Sequence, residues 1–101
     1  MNSDQFGLSL NTIQSIRSIL LKYPQIKEVI LYGSRAKGNF KEGSDIDLVM
    51  KAPELTMSDL LRIENEIEEL MLPYKVDLSL FHQIENTSLL EHIERVGITF
   101  Y

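Results

Sequence analysis

Cysteine is absent from the 101 residues. That excludes disulfides, thiolate zinc sites and cysteine nucleophiles. Long apolar runs are absent too. None approaches the ~20 residues that span a bilayer, so no membrane partner is expected. The opening Met1-Asn-Ser-Asp-Gln-Phe6 lacks the basic and apolar regions of a signal peptide, which makes the cytoplasm the default location. Internal repeats, low-complexity tracts and linkers are also missing. Basic residues are in the minority, ten against fifteen acidic, for a net charge of −5. Such a balance argues against direct contact with a long nucleic acid, which usually meets a basic face.

What remains is an ordinary globular composition and a length that fits one small domain, residues 1–101. Folding a chain of this size buries roughly 60–65% of its surface. That supports one core and leaves little room for a second lobe.

Ser9 can cap a first helix that runs to about Tyr23 and ends at Pro24. Ile13, Ile16, Leu20 and Tyr23 recur at helical spacing and predict one apolar stripe. Glu28–Tyr32 is a short apolar run that stops at glycine, and reads as a buried central strand. Positions 35–43 read as a loop or broken helical turn. Asp45–Met50 predicts a second strand, with Ile46, Leu48 and Met50 on one face and Asp45, Asp47 and Val49 on the other.

Thr56 with Asp59 resembles a capping box, and Leu55 with Leu60 a hydrophobic staple. Leu60, Ile63, Ile67, Leu70 and Met71 then predict a core-facing stripe that Pro73 closes. Glu64, Glu66, Glu68 and Glu69 read as its solvated face. Lys75–Phe81 is a third strand, with Asp77 and Ser79 at its polar phase. Ser88 with Glu91 predicts a capped last helix, whose Leu89, Leu90, Ile93 and Val96 face inward until Gly97 stops it. Residues 98–101 predict an edge strand. The order is that of an α+β (α/β-like) layer fold: a mixed sheet covered by helices. His82 and His92 read as surface or interface residues, Tyr32 as core packing, and Tyr101 as an interface residue or merely the last one.

The chemistry concentrates between Leu31 and Leu48. Gly33-Ser34 leaves the first strand, ten residues follow, and Asp45-Ile-Asp47 opens the second. Asp45 and Asp47 lie two apart on a strand, so both carboxylates project from one face. If the third strand is a neighbour, Asp77 joins them. At ~4 Å each like-charge pair repels by about 4 kcal/mol at an effective dielectric near 20. A divalent cation removes the conflict, and hard oxygen ligands suit Mg²⁺. Two such ions roughly 3.5–4 Å apart can clamp the attacking and leaving oxygens of a phosphoryl transfer. The Ser34 N–H and hydroxyl can bind phosphate oxygens, and Gly33 lets the backbone approach closely. Arg35, Lys37 and Lys41 add a locally positive loop that suits a compact polyanion such as a triphosphate.

This constellation resembles the nucleotidyltransferases of the DNA polymerase β superfamily, whose signature is Gly-Ser, a spacer of about ten residues, Asp-x-Asp and a later strand Asp. Gly33, Ser34, Asp45, Asp47 and Asp77 match it position by position. The wider Gly-Ser-Arg-Ala-Lys-Gly…Gly-Ser-Asp-Ile-Asp-Leu run resembles the minimal nucleotidyltransferases, the MNT group, over essentially the whole chain. The resemblance implies a nucleotidyltransferase fold, a mixed sheet with helices packed on one side. It implies that Gly33 and Ser34 hold the triphosphate of ATP, and that Asp45 and Asp47 bind two Mg²⁺ ions. Asp77 would bind the catalytic one and help deprotonate the acceptor. Arg35 and Ser44, beside the motif, are expected to touch the nucleotide.

Minimal nucleotidyltransferases are typically encoded beside a small helical HEPN protein. The resemblance therefore implies a hetero-oligomer with a HEPN-type partner. In the toxin–antitoxin version, type VII, the antitoxin moves AMP from ATP to a tyrosine hydroxyl of a ribonuclease toxin. Larger superfamily enzymes carry an extra domain for the acceptor. Here little follows Asp77, so another molecule is expected to present it. Two alternatives stand beside protein adenylylation. One is a small-molecule acceptor, held by a helical substrate-binding subunit. The other is a binding-only antitoxin or regulatory subunit that acts by occlusion.

Overall fold

The computed structural model describes residues 5–101; the reading of the first residues as lacking a signal peptide falls largely on positions 1–4, outside them. Helix α1 (Leu10–Leu20) starts at Ser9, whose hydroxyl accepts the Thr12 N–H. It ends three residues sooner than the stripe predicts. Lys22 and Tyr23 bond back to Ile19 and Leu20 in a tightened turn, because the residue before Pro24 avoids helical geometry. Strand β1 (Glu28–Tyr32), a short helix α2 (Ser34–Lys37) and strand β2 (Ile46–Lys51) follow. Helix α3 (Met57–Glu68) enters through the capping box: Thr56 accepts the Asp59 N–H while the Asp59 carboxylate accepts the Thr56 N–H. Leu55 and Leu60 are buried in the same core.

At its far end α3 departs from expectation. Met71 takes a left-handed conformation, φ 54°, and is 87% exposed. The helix has already tightened at Leu70, so the chain turns outward before Pro73 and Met71 leaves the stripe. Strand β3 (Val76–Leu80), a 3₁₀ turn (Phe81–Gln83), helix α4 (Thr87–Val96) and strand β4 (Ile98–Thr99) complete the order. The cap of α4 is Asn86, not Ser88. Its side chain accepts the Leu89 N–H, as asparagine is well suited to do. Gly97 ends α4 by close approach: a Cβ there would lie 2.3 Å from the Ile93 carbonyl oxygen and 2.6 Å from Ile30 Cγ2.

The sheet order is β3-β2-β1-β4. β1 is antiparallel to β2 and to β4, and β2 is parallel to β3, with α3 as the crossover. Period-two alternation divides the sheet between two cores. Val29, Leu31, Ile46, Leu48, Met50, Leu78 and Leu80 pack with α1 and α3 in the main one. Ile30, Tyr32 and Val49 pack with Ile93 of α4 in a small second one. The mixed sheet with helices is as expected, and α4 adds a thin layer on the face away from α1 and α3. The two main-core helices are tied at the surface, where Glu66 accepts bonds from Lys22 and from the Tyr23 hydroxyl. Burial and this carboxylate push the Tyr23 phenol up to about 12.

Candidate active site

The parallel register sets Asp47 directly beside Asp77. Adjacent strands lie about 4.8 Å apart, so the carboxylates leave the same face as neighbours. Asp45 precedes β2 by one residue and shares the phase of Asp47. The face is that of Tyr32, Val49 and Ser79, opposite to α1 and α3. Tyr32 pairs with Asp47 from the other side. All three aspartates therefore gather at one open end of the α4 face.

The electrostatics follow from that crowding. Partial burial raises the Asp47 pKa, and the charges of Asp77 and Asp45 raise it further; His92 and Lys75 pull it back. Burial also raises the Tyr32 phenol. Ser79 opposes the shift, while Asp77 and Asp47 add to it. Among the described residues, no three His, Cys, Asp or Glu side chains close into a metal-holding group as they stand. The donor chemistry nonetheless fits a hard divalent cation: carboxylate oxygens alone, on adjacent strands, in mutual repulsion that a cation would relieve.

The Gly33-Ser34 turn is built against this cluster. Gly33 has φ 75° and ψ −157°, a conformation that residues with a Cβ avoid. A Cβ there would stand 2.3 Å from Asp47 Oδ2. Glycine thus brings the end of β1 up to the carboxylate. Gly33 and Ser34 carbonyls accept the Lys37 and Gly38 N–H groups, forming α2, and Gly38, φ 87°, turns the chain out. Ser34 lies half-buried beside Gly33.

Arg35 and Ser44, expected at the nucleotide, are bonded to each other and to the loop. Arg35 is 3% exposed. Its Nε and Nη2 donate to the Ser44 carbonyl and its Nη1 to the Phe6 carbonyl. The guanidinium also lies over the Phe40 and Tyr74 rings. Ser44 Oγ accepts the Lys41 N–H. Together they clip the loop between the Gly-Ser turn and the Asp-x-Asp strand, with the guanidinium bonded to backbone carbonyls on both sides. Lys37 and Lys41 remain exposed on that loop.

Two residues near the cluster were not read as part of it. Lys75 is one: its position two before Asp77 on the same strand phase was the available signal. His92 is the other. It comes from α4, its Nε2 accepts the Gly33 N–H at 3.1 Å, and its ring meets Tyr32 edge-on at 6.1 Å. Its place depends on how α4 packs, which no local pattern reveals. His82, by contrast, is exposed as expected.

Residues 14–101 match the family model described as polymerase beta, nucleotidyltransferase. This chain belongs to that nucleotidyltransferase family. Among curated proteins, the nucleotidyltransferase is 32% identical to "Putative protein adenylyltransferase MJ1217" of Methanocaldococcus jannaschii, over 84% of this chain and 94% of the relative. A second protein of that organism, "Putative protein adenylyltransferase MJ0126", is 30% identical over the same shares. Among solved structures, a chain of a toxin-antitoxin crystallised with AMP-PNP superposes with a TM-score of 0.72 at 21% identity, covering 88% of this chain and 72% of that one. A chain from the complex of a tri-AMPylated Shewanella oneidensis HEPN toxin with its MNT antitoxin gives 0.68 at 18% identity, covering 90% and 70%. These two likenesses establish the nucleotidyltransferase fold.

Proposed function

We propose that this nucleotidyltransferase moves AMP from ATP to a hydroxyl of a partner protein, in the manner of an antitoxin acting on a tyrosine of a HEPN-type toxin. The observation that carries the reading is the side-by-side register of Asp47 and Asp77, with Asp45 in phase and the Gly33-Ser34 turn against them. The names of the 30% and 32% identical relatives support transfer to protein. The folds shared with toxin–antitoxin chains support a helical partner.

In this reading Asp45, Asp47 and Asp77 hold Mg²⁺. The ions supply charge neutralisation of the triphosphate and acidification of the acceptor hydroxyl. Ser34 offers its N–H and hydroxyl to phosphate oxygens. Asp77 is the outermost carboxylate of the three on an edge strand. It takes the hydroxyl proton as the oxygen attacks the α-phosphorus and diphosphate leaves. The partner supplies the surface that presents the hydroxyl.

The test is to incubate the chain with a HEPN-type helical protein from the same genome, ATP and Mg²⁺, and to record intact masses. One or more AMP increments on the partner, absent with the Asp45→Asn variant, support the reading. A stable complex without any increment favours occlusion. AMP recovered on a small molecule instead would move the acceptor out of the protein class.

A further inference from the structure

Gly33 lies just past the end of β1, where the sheet no longer provides a partner for its amide. The amide is taken by His92, reaching over from α4. The acceptor role of Nε2 puts the ring proton on Nδ1. The same ring sets its edge on Tyr32, the last residue of β1. Next to it in α4, Ile93 is buried against Ile30, Tyr32 and Val49 and anchors the helix to the sheet. The imidazole therefore spans both sides of the point where β1 becomes the turn. Gly33 itself sits in a positive-φ conformation that glycine adopts readily, and a Cβ there would stand 2.3 Å from Asp47 Oδ2.

We propose that His92 is a positioning residue of the nucleotide site. By holding the Gly33 N–H it fixes the turn, so that Ser34 and not Gly33 presents the amide to phosphate. The Ser34 N–H and hydroxyl have no hydrogen-bond partner among the described residues. The division of labour is sharp: Gly33 supplies room for Asp47, His92 supplies the anchor, and Ser34 supplies the donors. Helix α4, which carries no residue of the Gly-Ser and aspartate signature, becomes a wall of the site. The role rests on the nucleotide reading given above.

Three variants test it: His92→Ala, His92→Phe and His92→Gln. Phenylalanine keeps a ring against Tyr32 without an acceptor; glutamine keeps an acceptor without the ring. Amide exchange of Gly33, followed by NMR, reports the contact directly. AMP-PNP affinity in the presence of Mg²⁺ reports the role. Loss of one neutral hydrogen bond predicts about fivefold weaker binding in the Ala and Phe variants and exchange about tenfold faster or more. In His92→Gln both return toward wild type. With the acceptor protein, KM for ATP rises while kcat stays within about twofold.

Unchanged Gly33 exchange in His92→Phe overturns the proposal. So does tighter AMP-PNP binding, which would make His92 a competitor of phosphate, and so does a Gln variant as weak as the Phe variant. Wild-type protein that binds no AMP-PNP overturns the nucleotide reading and this role with it, while Gly33 exchange still reports whether the contact exists.

Discussion

The two faces of the sheet have opposite characters. On one, α1 and α3 cover strand residues that are wholly apolar and almost fully buried. On the other, α4 covers only Ile30, Tyr32 and Val49, and the rest of the surface carries Asp47, Asp77 and Ser79. Both faces belong to the same strands, and alternate residues serve one or the other. The thick face can therefore hold the fold while the thin face tolerates groups that work against it. Partial burial and the charges of Asp77 and Asp45 work against a charged Asp47 on the thin face, while the apolar main core lies on the other.

Replacing Asp77 by Asn should break the thin face as chemistry without breaking the fold. Nucleotidyl transfer is expected to fall by about three orders of magnitude, roughly 4 kcal/mol of transition-state stabilisation. Circular dichroism should be unchanged. Steady-state transfer to any competent acceptor, beside a melting curve, measures both; a variant within tenfold of wild type would remove Asp77 from the machinery.

Next comes packing. Leu48→Ala opens the main core and should cost about 3–5 kcal/mol in urea unfolding, whereas Ile93→Ala in the thinner layer should cost about 2. Equal losses would contradict the asymmetry of the two faces. Arg35→Met leaves the Phe6 and Ser44 carbonyls without their donors and should cost about 2 kcal/mol. It should also speed proteolysis of the loop between Gly38 and Asp45. If it instead changed only nucleotide affinity, Arg35 would reach phosphate after all.

The smallest effects concern pH, and the two faces should answer with opposite signs. Asp47 has a raised pKa in the folded protein, first through burial and then through Asp77 and Asp45. Its stabilising contribution is present below the ordinary carboxylate range and is lost as pH rises through the raised value. At neutral pH without metal, Asp47→Asn should therefore stabilise, by up to about 1 kcal/mol after allowing for solvent screening, and Mg²⁺ should reverse the ranking. Glu66, between α1 and α3, has a lowered pKa through bonds from Lys22 and Tyr23. Its contribution is present above the ordinary value and is lost as pH falls through the lowered one. Glu66→Gln should flatten the acid limb of the stability profile slightly. Thermal melts between pH 3 and 8 would show both slopes; matching signs would refute the contrast.

Much of this was legible in the sequence because it is local. The apolar phase of β1, β2 and β3, the Thr56–Asp59 box and the Gly33-Ser34…Asp45-Ile-Asp47 spacing are all short-range patterns. They placed the strands and put the carboxylates on one face. The register that brings Asp77 beside Asp47 was conditional on two strands being neighbours, which alternation alone cannot decide. Helix ends were less legible. Met71 fits a helical stripe by spacing, yet turns outward because of the tightening before Pro73. Arg35 shows the sharper limit. Its charge and position read as a phosphate contact; that backbone carbonyls from positions 6 and 44 converge on it leaves no trace in composition. His92, read as a surface or interface residue, meets Gly33 and Tyr32 only through the packing of α4, which is equally non-local.

The pairing of Asp47 with Asp77 also has a consequence in time. During synthesis the Gly-Ser turn and the first two aspartates emerge together, but the third follows only after the whole of α3. A parallel pair joined through a helix is a long-range contact that forms late. On the proposed mechanism the growing chain carries most of its signature well before it can act, and competence arrives with the closing of the sheet. Activity, rather than secondary structure, would then be the stricter reporter of complete folding.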